Sequence, residues 1–230
     1  MSVLLAAFLS IGLVHAEVQR FAVVVGNNEG AVGNARLYFA EQDAKKVQGV
    51  LTELGGVSLM NTRSLYGKGR GDLLKVMADL QGPIASARQN GNETVLYFFY
   101  SGHADDEHLQ LGRSEVSWTE LGTLLEKSGA DVRVAFVDAC QSGTMTRRKG
   151  GTRAPGFVFE LQERLDARGS VIITSSGGDE ASQESDEIGG SYFTHFLASG
   201  LSGNADDDGD GRVTLSETYR YVYHETVYRT

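Results

Sequence analysis

Apolar residues fall along this chain in two alternating rhythms. Continuous runs rich in β-branched and aromatic residues occupy positions 21–25, 94–100, 132–137 and 170–174, with a weaker one at 57–60. Runs of this kind fit strands buried on both faces, as in a parallel sheet. Between them the spacing changes to three and four: Ala40, Ala44, Val47, Leu51 and Leu54 in one stretch, Leu73, Leu74, Met77, Leu80 and Ile84 in the next. That spacing predicts helices with a single apolar stripe. A third helix is predicted to start at Ser117-Trp118-Thr119-Glu120, a capping-box pattern ahead of Leu121, Leu124 and Leu125.

Strand and helix therefore alternate, which implies βαβ units joined by right-handed crossovers. The expected fold class is α/β: a doubly wound, mostly parallel sheet with helices on both faces. Residues 141–155 are basic, glycine-rich and without periodicity, and are expected to form an exposed loop between a strand and the next helix. Residues 17–230 are read as one domain, which ends inside a helical pattern without a closing strand, as a truncated domain would.

Composition narrows the function classes. At 41% hydrophobic and 22% charged, 230 residues suffice to bury one good core. A net charge of -9 argues against a nucleic-acid partner and for protein or peptide partners, because phosphate binding depends on clustered Lys and Arg. Residues 1–16 form an apolar run ending in Val14-His15-Ala16, which reads as a secretory signal cleaved after Ala16. The run is shorter than the ~20 residues a spanning helix needs. Its start carries no Lys or Arg, so a membrane anchor is the alternative. The expected location is exported, periplasmic or secreted, with no stable membrane insertion after cleavage.

Cys140 is the single cysteine, so no intrachain disulfide exists and thiol chemistry becomes a reason for its presence. The strand at 132–137 runs into Asp138-Ala139-Cys140, and the strand at 94–100 runs into Ser101-Gly102-His103. Both reactive residues are expected just past the C-terminal end of a strand, where open α/β sheets bind ligands. If these strands are neighbours, ~4.8 Å apart, His103 and Cys140 face each other. An imidazole can then hold the thiol as thiolate and later protonate a leaving amine. Taken singly, each residue also reads as a packed side chain with no chemistry; the pair is the signal.

The motifs Tyr100-Ser101-Gly102-His103-Ala104 and Asp138-Ala139-Cys140-Gln141-Ser142-Gly143 resemble the two active-site motifs of the caspase-like cysteine peptidases, the metacaspase branch especially. The resemblance spans the chain from Phe21 to the region of Tyr219. It implies a caspase-like fold, a catalytic dyad of His103 and Cys140, and an oxyanion hole from the backbone N–H groups of Gly102 and Cys140. It implies that Asp138 lines the pocket for the residue before the scissile bond; a carboxylate there favours Arg or Lys over Asp. Ala104 departs from the family pattern, which usually has a second glycine after the histidine. Self-cleavage in the basic loop is an expectation of such specificity, at Arg147, Arg148, Lys149 or Arg153. Ser175 and Asp179, after the strand at 170–174, open onto the same crevice and are candidate substrate-binding residues.

A second constellation lies nearer the end of the chain. Residues 206–217, Asp-Asp-Asp-Gly-Asp-Gly-Arg-Val-Thr-Leu-Ser-Glu, match the twelve-residue EF-hand loop. Ca2+ ligands would be Asp206, Asp208, Asp210, the Arg212 carbonyl, Thr214 directly or through water, and bidentate Glu217. Gly211 would make the sharp turn, and Val213 would point into the core. The same residues also suit an acidic turn without metal. No organic cofactor is expected, since Gly26-Asn27-Asn28-Glu29-Gly30-Ala31-Val32-Gly33 fails the dinucleotide-binding spacing and no P-loop occurs.

The sequence thus predicts a cysteine endopeptidase cleaving after Arg or Lys. The alternative from another class is a non-catalytic caspase-like module that binds protein partners or calcium.

Overall fold

Three of the four strongly apolar runs become the middle of one sheet; the fourth, at 170–174, pairs on one side only among the described residues and leaves Ile172 40% exposed. The computed structural model describes residues 17–141, 169–175 and 184–229; the expected signal segment, the basic loop and Asp179 lie outside them. Strand β1 (Val18–Gly26) is followed by α1 (Ala40–Glu53), β2 (Thr62–Tyr66), α2 (Arg70–Gln89) and β3 (Glu93–Ala104). Next come the strands β4 (His108–Leu111) and β5 (Ser114–Ser117), then α3 (Trp118–Lys127), β6 (Val132–Gln141) and β7 (Gly169–Thr174). The short strands β8 (Glu184–Ser185) and β9 (Gly190–Ser191) precede α4 (Tyr192–Ser199) and α5 (Leu215–Arg229).

Five strands pair in parallel in the order β2-β1-β3-β6-β7. The antiparallel hairpin β4–β5 joins the sheet at the last residue of β3, where Ala104 pairs with Leu109. The chain steps outward from β1 to β2, then returns to lay β3 on the other side of β1. That reversal makes the carboxyl ends of β1 and β3 the switch point, where such sheets form a crevice.

Strand residues alternate between two cores, which is why these strands read as unbroken apolar runs. Phe21, Val23, Val25, Leu96, Phe98, Tyr100, Ala135 and Val137 face α2 and α3, with Leu73, Met77, Leu80, Leu121 and Leu125. Ala22, Val24, Phe99, Val134 and Phe136 face α1, α4 and α5, with Val47, Leu51, Phe193, Leu197 and Val222. Each large apolar side chain buried in this way stabilises the fold by ~2 kcal/mol. Among the described residues, no helix is long and apolar enough to cross a membrane.

The structure differs from the sequence expectation at several boundaries. The run at 57–60 is not a strand; Leu59–Asn61 form a 3₁₀ turn and the strand follows at Thr62–Tyr66. Ser58 is the reason, because its hydroxyl accepts from Met60 N and starts the turn. The hairpin β4–β5 was not anticipated. Its signal is short: Leu109, Leu111 and Val116 alternate around Gly112-Arg113, with Gly112 at φ 63°. The helix at Trp118 begins as expected, with the Ser117 hydroxyl accepting from Glu120 N at 3.1 Å. The Glu120 side chain completes no box; it turns outward to form an ion pair with Arg70.

Candidate active site

Both reactive residues lie within strands rather than past their ends. β3 and β6 run four residues beyond the apolar stretches, and their ladder pairs Ser101 with Asp138, Gly102 with Ala139 and His103 with Cys140. The apolar pattern stops short of these last rungs but burial does not: Ser101, His103, Ala104, Asp138 and Ala139 are each at most 7% exposed. By the pleat, positions 103, 138 and 140 fall on the α1 face of the sheet.

His103 is 7% exposed, and its Nε2 lies 2.9 Å from the Ala35 carbonyl oxygen. A carbonyl only accepts, so Nε2 carries the hydrogen and the neutral ring keeps its lone pair on Nδ1. Burial pushes the imidazole below its usual range, against the Ala35 hydrogen bond and the charges of Glu184 and Glu29, which pull it up. The ring also touches backbone: a Cβ on Gly30 would sit 2.5 Å from His103 Cδ2. The glycine-rich loop after β1 therefore belongs to the histidine, and no side chain fits at position 30.

Gly102 is constrained in a similar way. A Cβ there would lie 2.5 Å from the Tyr100 hydroxyl and 3.2 Å from the Asn27 carbonyl oxygen. Tyr100, fully buried, directs that hydroxyl at the His103 and Gln110 carbonyls, each 2.6 Å away. One hydroxyl hydrogen is shared between two acceptors and fastens the end of β3 to the hairpin. Ala104, the departure from the family pattern, is a strand residue 2% exposed in the α2 core, and no described non-glycine residue has positive φ. Its methyl group is accommodated without strain.

Asp138 is 2% exposed. Its Oδ2 accepts from the Ser191 hydroxyl and, at 2.5 Å, from the Thr194 hydroxyl. Ser191 also donates its backbone N–H to Oδ2 of Asp43, at 3.0 Å. One residue at the start of α4 thus joins two buried carboxylates. Asp43 has no exposed surface, its Oδ1 has no hydrogen-bond partner, and Lys46 approaches only to 3.9 Å. A Cβ on Gly190 would lie 2.4 Å from that oxygen. Burial, and then the negative charge of Asp138, push the Asp43 carboxyl up to about 8.

Asp43 escaped the sequence reading because a lone acid in the first turn of an amphipathic helix looks like a macrodipole partner. The usable signal was its spacing: position 43 stands next to Ala44 and four residues before Val47, on the apolar stripe rather than the polar face.

Ser175 is 8% exposed, and its hydroxyl lies 3.1 Å from Ala139 N and 3.4 Å from Ala139 O. With Ser175 N donating to Val137 O at 2.9 Å, it ties the end of β7 to the backbone leading into Cys140.

The acidic loop lies apart from these residues, between α4 and α5. Oxygens of Asp206, Asp208 and Asp210 all lie within 4.8 Å of one another. Asp206 accepts from Gly209 N, Asp210 N and Gly211 N, and Gly209 and Gly211 take positive φ to present those amides. Thr214 and Glu217 form a reciprocal capping box on α5: Oε2 of Glu217 accepts from Thr214 N at 2.8 Å, and the Thr214 hydroxyl accepts from Glu217 N at 3.2 Å. These bonds, with the Thr214 hydroxyl foremost, hold the Glu217 carboxyl below its usual range. Val213 is half-buried rather than in the core. An all-oxygen set of this kind fits a hard cation such as calcium.

A family model described as the caspase domain matches residues 19–229. No curated protein sequence matches the chain. Among solved structures, the chain is similar to caspase-1 from Spodoptera frugiperda, with a TM-score of 0.62 at 14% identity. That match covers 91% of this chain and 77% of the insect protein.

Proposed function

Since the chain belongs to the caspase-domain family of cysteine peptidases, we propose that it is a metacaspase-like endopeptidase that cleaves proteins or peptides after Arg or Lys. The observation that carries the reading is the ladder pairing of His103 with Cys140 beside the buried carboxylates of Asp138 and Asp43. His103 Nδ1 takes the proton of the Cys140 thiol, and the thiolate attacks the scissile carbonyl carbon. The N–H groups of Gly102 and Cys140 receive the developing oxyanion. The imidazolium then protonates the leaving amine as the C–N bond breaks. Water, deprotonated by His103, attacks the thioester carbonyl, and the acid product leaves as the thiol is restored.

Two acids sharing one buried site strongly favour a cation there and leave an acidic side chain repelled. Asp138 and Asp43 are the residues we assign to the cation, with Ser175 and Asp179 as candidate substrate-binding residues. The reading includes self-cleavage at Arg147, Arg148, Lys149 or Arg153, a calcium ion held by Asp206, Asp208, Asp210, Arg212, Thr214 and Glu217, and export directed by residues 1–16.

The test is hydrolysis of fluorogenic peptides ending in Arg, Lys or Asp, with Cys140→Ala as control, in calcium and then in chelator. Cleavage after Arg or Lys that vanishes in the control is expected, together with loss of intact mass in the basic loop. Cleavage after Asp would overturn the pocket assignment. Absence of any Cys140-dependent turnover would leave the non-catalytic binding module as the correct reading.

A further inference from the structure

One loop, residues 27–39, touches His103 twice, through Gly30 against the ring and the Ala35 carbonyl at Nε2. That loop is itself gripped by two side chains distant in sequence. From β4, Gln110 is 5% exposed, and its Oε1 accepts from Ala31 N at 2.9 Å and from Asn34 Nδ2 at 2.6 Å. Its side chain is also hydrogen-bonded to Asp105, so both ends of the amide are engaged. From β8, Glu184 accepts from Tyr38 N at 3.0 and 3.1 Å with its two oxygens, and from Phe39 N at 2.8 Å. These amides lead into α1, where unpaired N–H groups favour a carboxylate. Ala35 lies between the two grips.

We infer that Gln110 and Glu184 are positioning residues for His103, clamping the loop on either side of Ala35 so that its carbonyl fixes the ring and its Nε2–H. The inference rests on the reading of His103 as the base for Cys140. Each acts on the loop: Gln110 through the Ala31 amide and the Asn34 side chain, Glu184 through the Tyr38 and Phe39 amides. Gln110 is suited to the task because an amide oxygen takes two donors without adding a second charge beside Asp105, and it spans from the hairpin to the loop. Glu184 pairs with Ser191 across β8 and β9. Ser191 in turn holds Asp43 and Asp138, so the second clamp is anchored to the two buried carboxylates.

A loosened loop lets water reach the imidazole and lets the ring turn. Displacement of a base by ~1 Å costs about 100-fold in rate with little effect on substrate binding. The variants are Gln110→Met, which keeps length and loses the acceptor, and Glu184→Gln, which keeps one acceptor oxygen and loses the charge. On a basic peptide, kcat is expected to fall about 10- to 100-fold in Gln110→Met and less in Glu184→Gln, with KM within about two-fold. In Gln110→Met, which leaves the Glu184 and Glu29 charges in place, the acid limb of kcat/KM is expected to move up, because burial is the main cause holding His103 low. Unchanged kcat and an unchanged acid limb in a folded Gln110→Met protein would overturn the inference.

If that variant does not fold, Asn34→Ala removes one of the two bonds to the same oxygen and is read in the same way. Nitrogen NMR of the histidines in Cys140→Ala protein, with and without Gln110→Met, separates the two failures. No Cys140-dependent turnover in the wild-type chain, with the Nε2–H signature still lost in Gln110→Met, sinks the peptidase reading and keeps the clamp. Wild-type turnover with the signature unmoved sinks the clamp alone.

Discussion

Asp43 and Gly102 show how much single atoms decide here. Asp43 is neutral in the folded chain up to about pH 8 and ionised in the unfolded chain above its ordinary value of 3.8. Between those limits the native state binds the extra proton, so stability falls as pH rises from about 4 to 8. Asp43→Asn is expected to raise Tm at pH 7 by ~4 °C and to flatten the pH dependence of Tm in scanning calorimetry. On the proposed reading, a bound Arg side chain draws the proton off Asp43 and pairs with the carboxylate, so the same substitution should raise KM for Arg peptides by ~10-fold or more. Gly102→Ala has the opposite profile. Its methyl group meets the Tyr100 hydroxyl and the Asn27 carbonyl, so kcat should drop by ~100-fold with Tm lowered by only a few degrees. The candidate positions His103, Cys140 and Asp138 could be picked out of the sequence because each follows closely on an apolar run. Asp43 and Gln110 could not, since their contacts exist only after α1 and β4 are packed against the sheet.

At the scale of elements, the apolar runs located the parallel strands well and their ends poorly. Periodicity reports apolar character, which ends at Tyr100 and Val137, while burial continues through His103, Ala104, Asp138 and Ala139 and the backbone ladder runs on to Ala104 and Gln141. Helix α5 carries a different ambiguity. Glu217 is both the residue that caps the helix and the expected twelfth ligand of the acidic loop. On the proposed calcium reading, an ion bound in the loop would compete with Thr214 for Glu217, and helix α5 would exchange a capping bond for a metal bond. Glu217→Gln is expected to lose the calcium-induced rise in Tm while lowering Tm in chelator by no more than ~2–4 °C, the scale of one lost cap. A calcium-dependent rise that persists in this variant would remove Glu217 from the site.

For the molecule as a whole, alternation of strand and helix was enough to anticipate a doubly wound sheet with both faces covered, and the two cores bear that out. Pairing order was not available from the sequence, because the register of β1 with β2 and β3 depends on contacts between distant segments. Phe98, fully buried between β1 and β6 in the centre of the sheet, belongs to this scale. Phe98→Ala is expected to cost ~3–5 kcal/mol in denaturant unfolding.

The rungs that carry His103 and Cys140 are continuous with the rungs that carry Phe98 and Ala135. Reactive positions of this kind have no separate, softer unit to melt first. Damage elsewhere in the fold should then change how many molecules work rather than how fast each one works: active-site titration would register the loss, and the turnover per titrated site would stay constant up to the temperature at which the sheet itself comes apart.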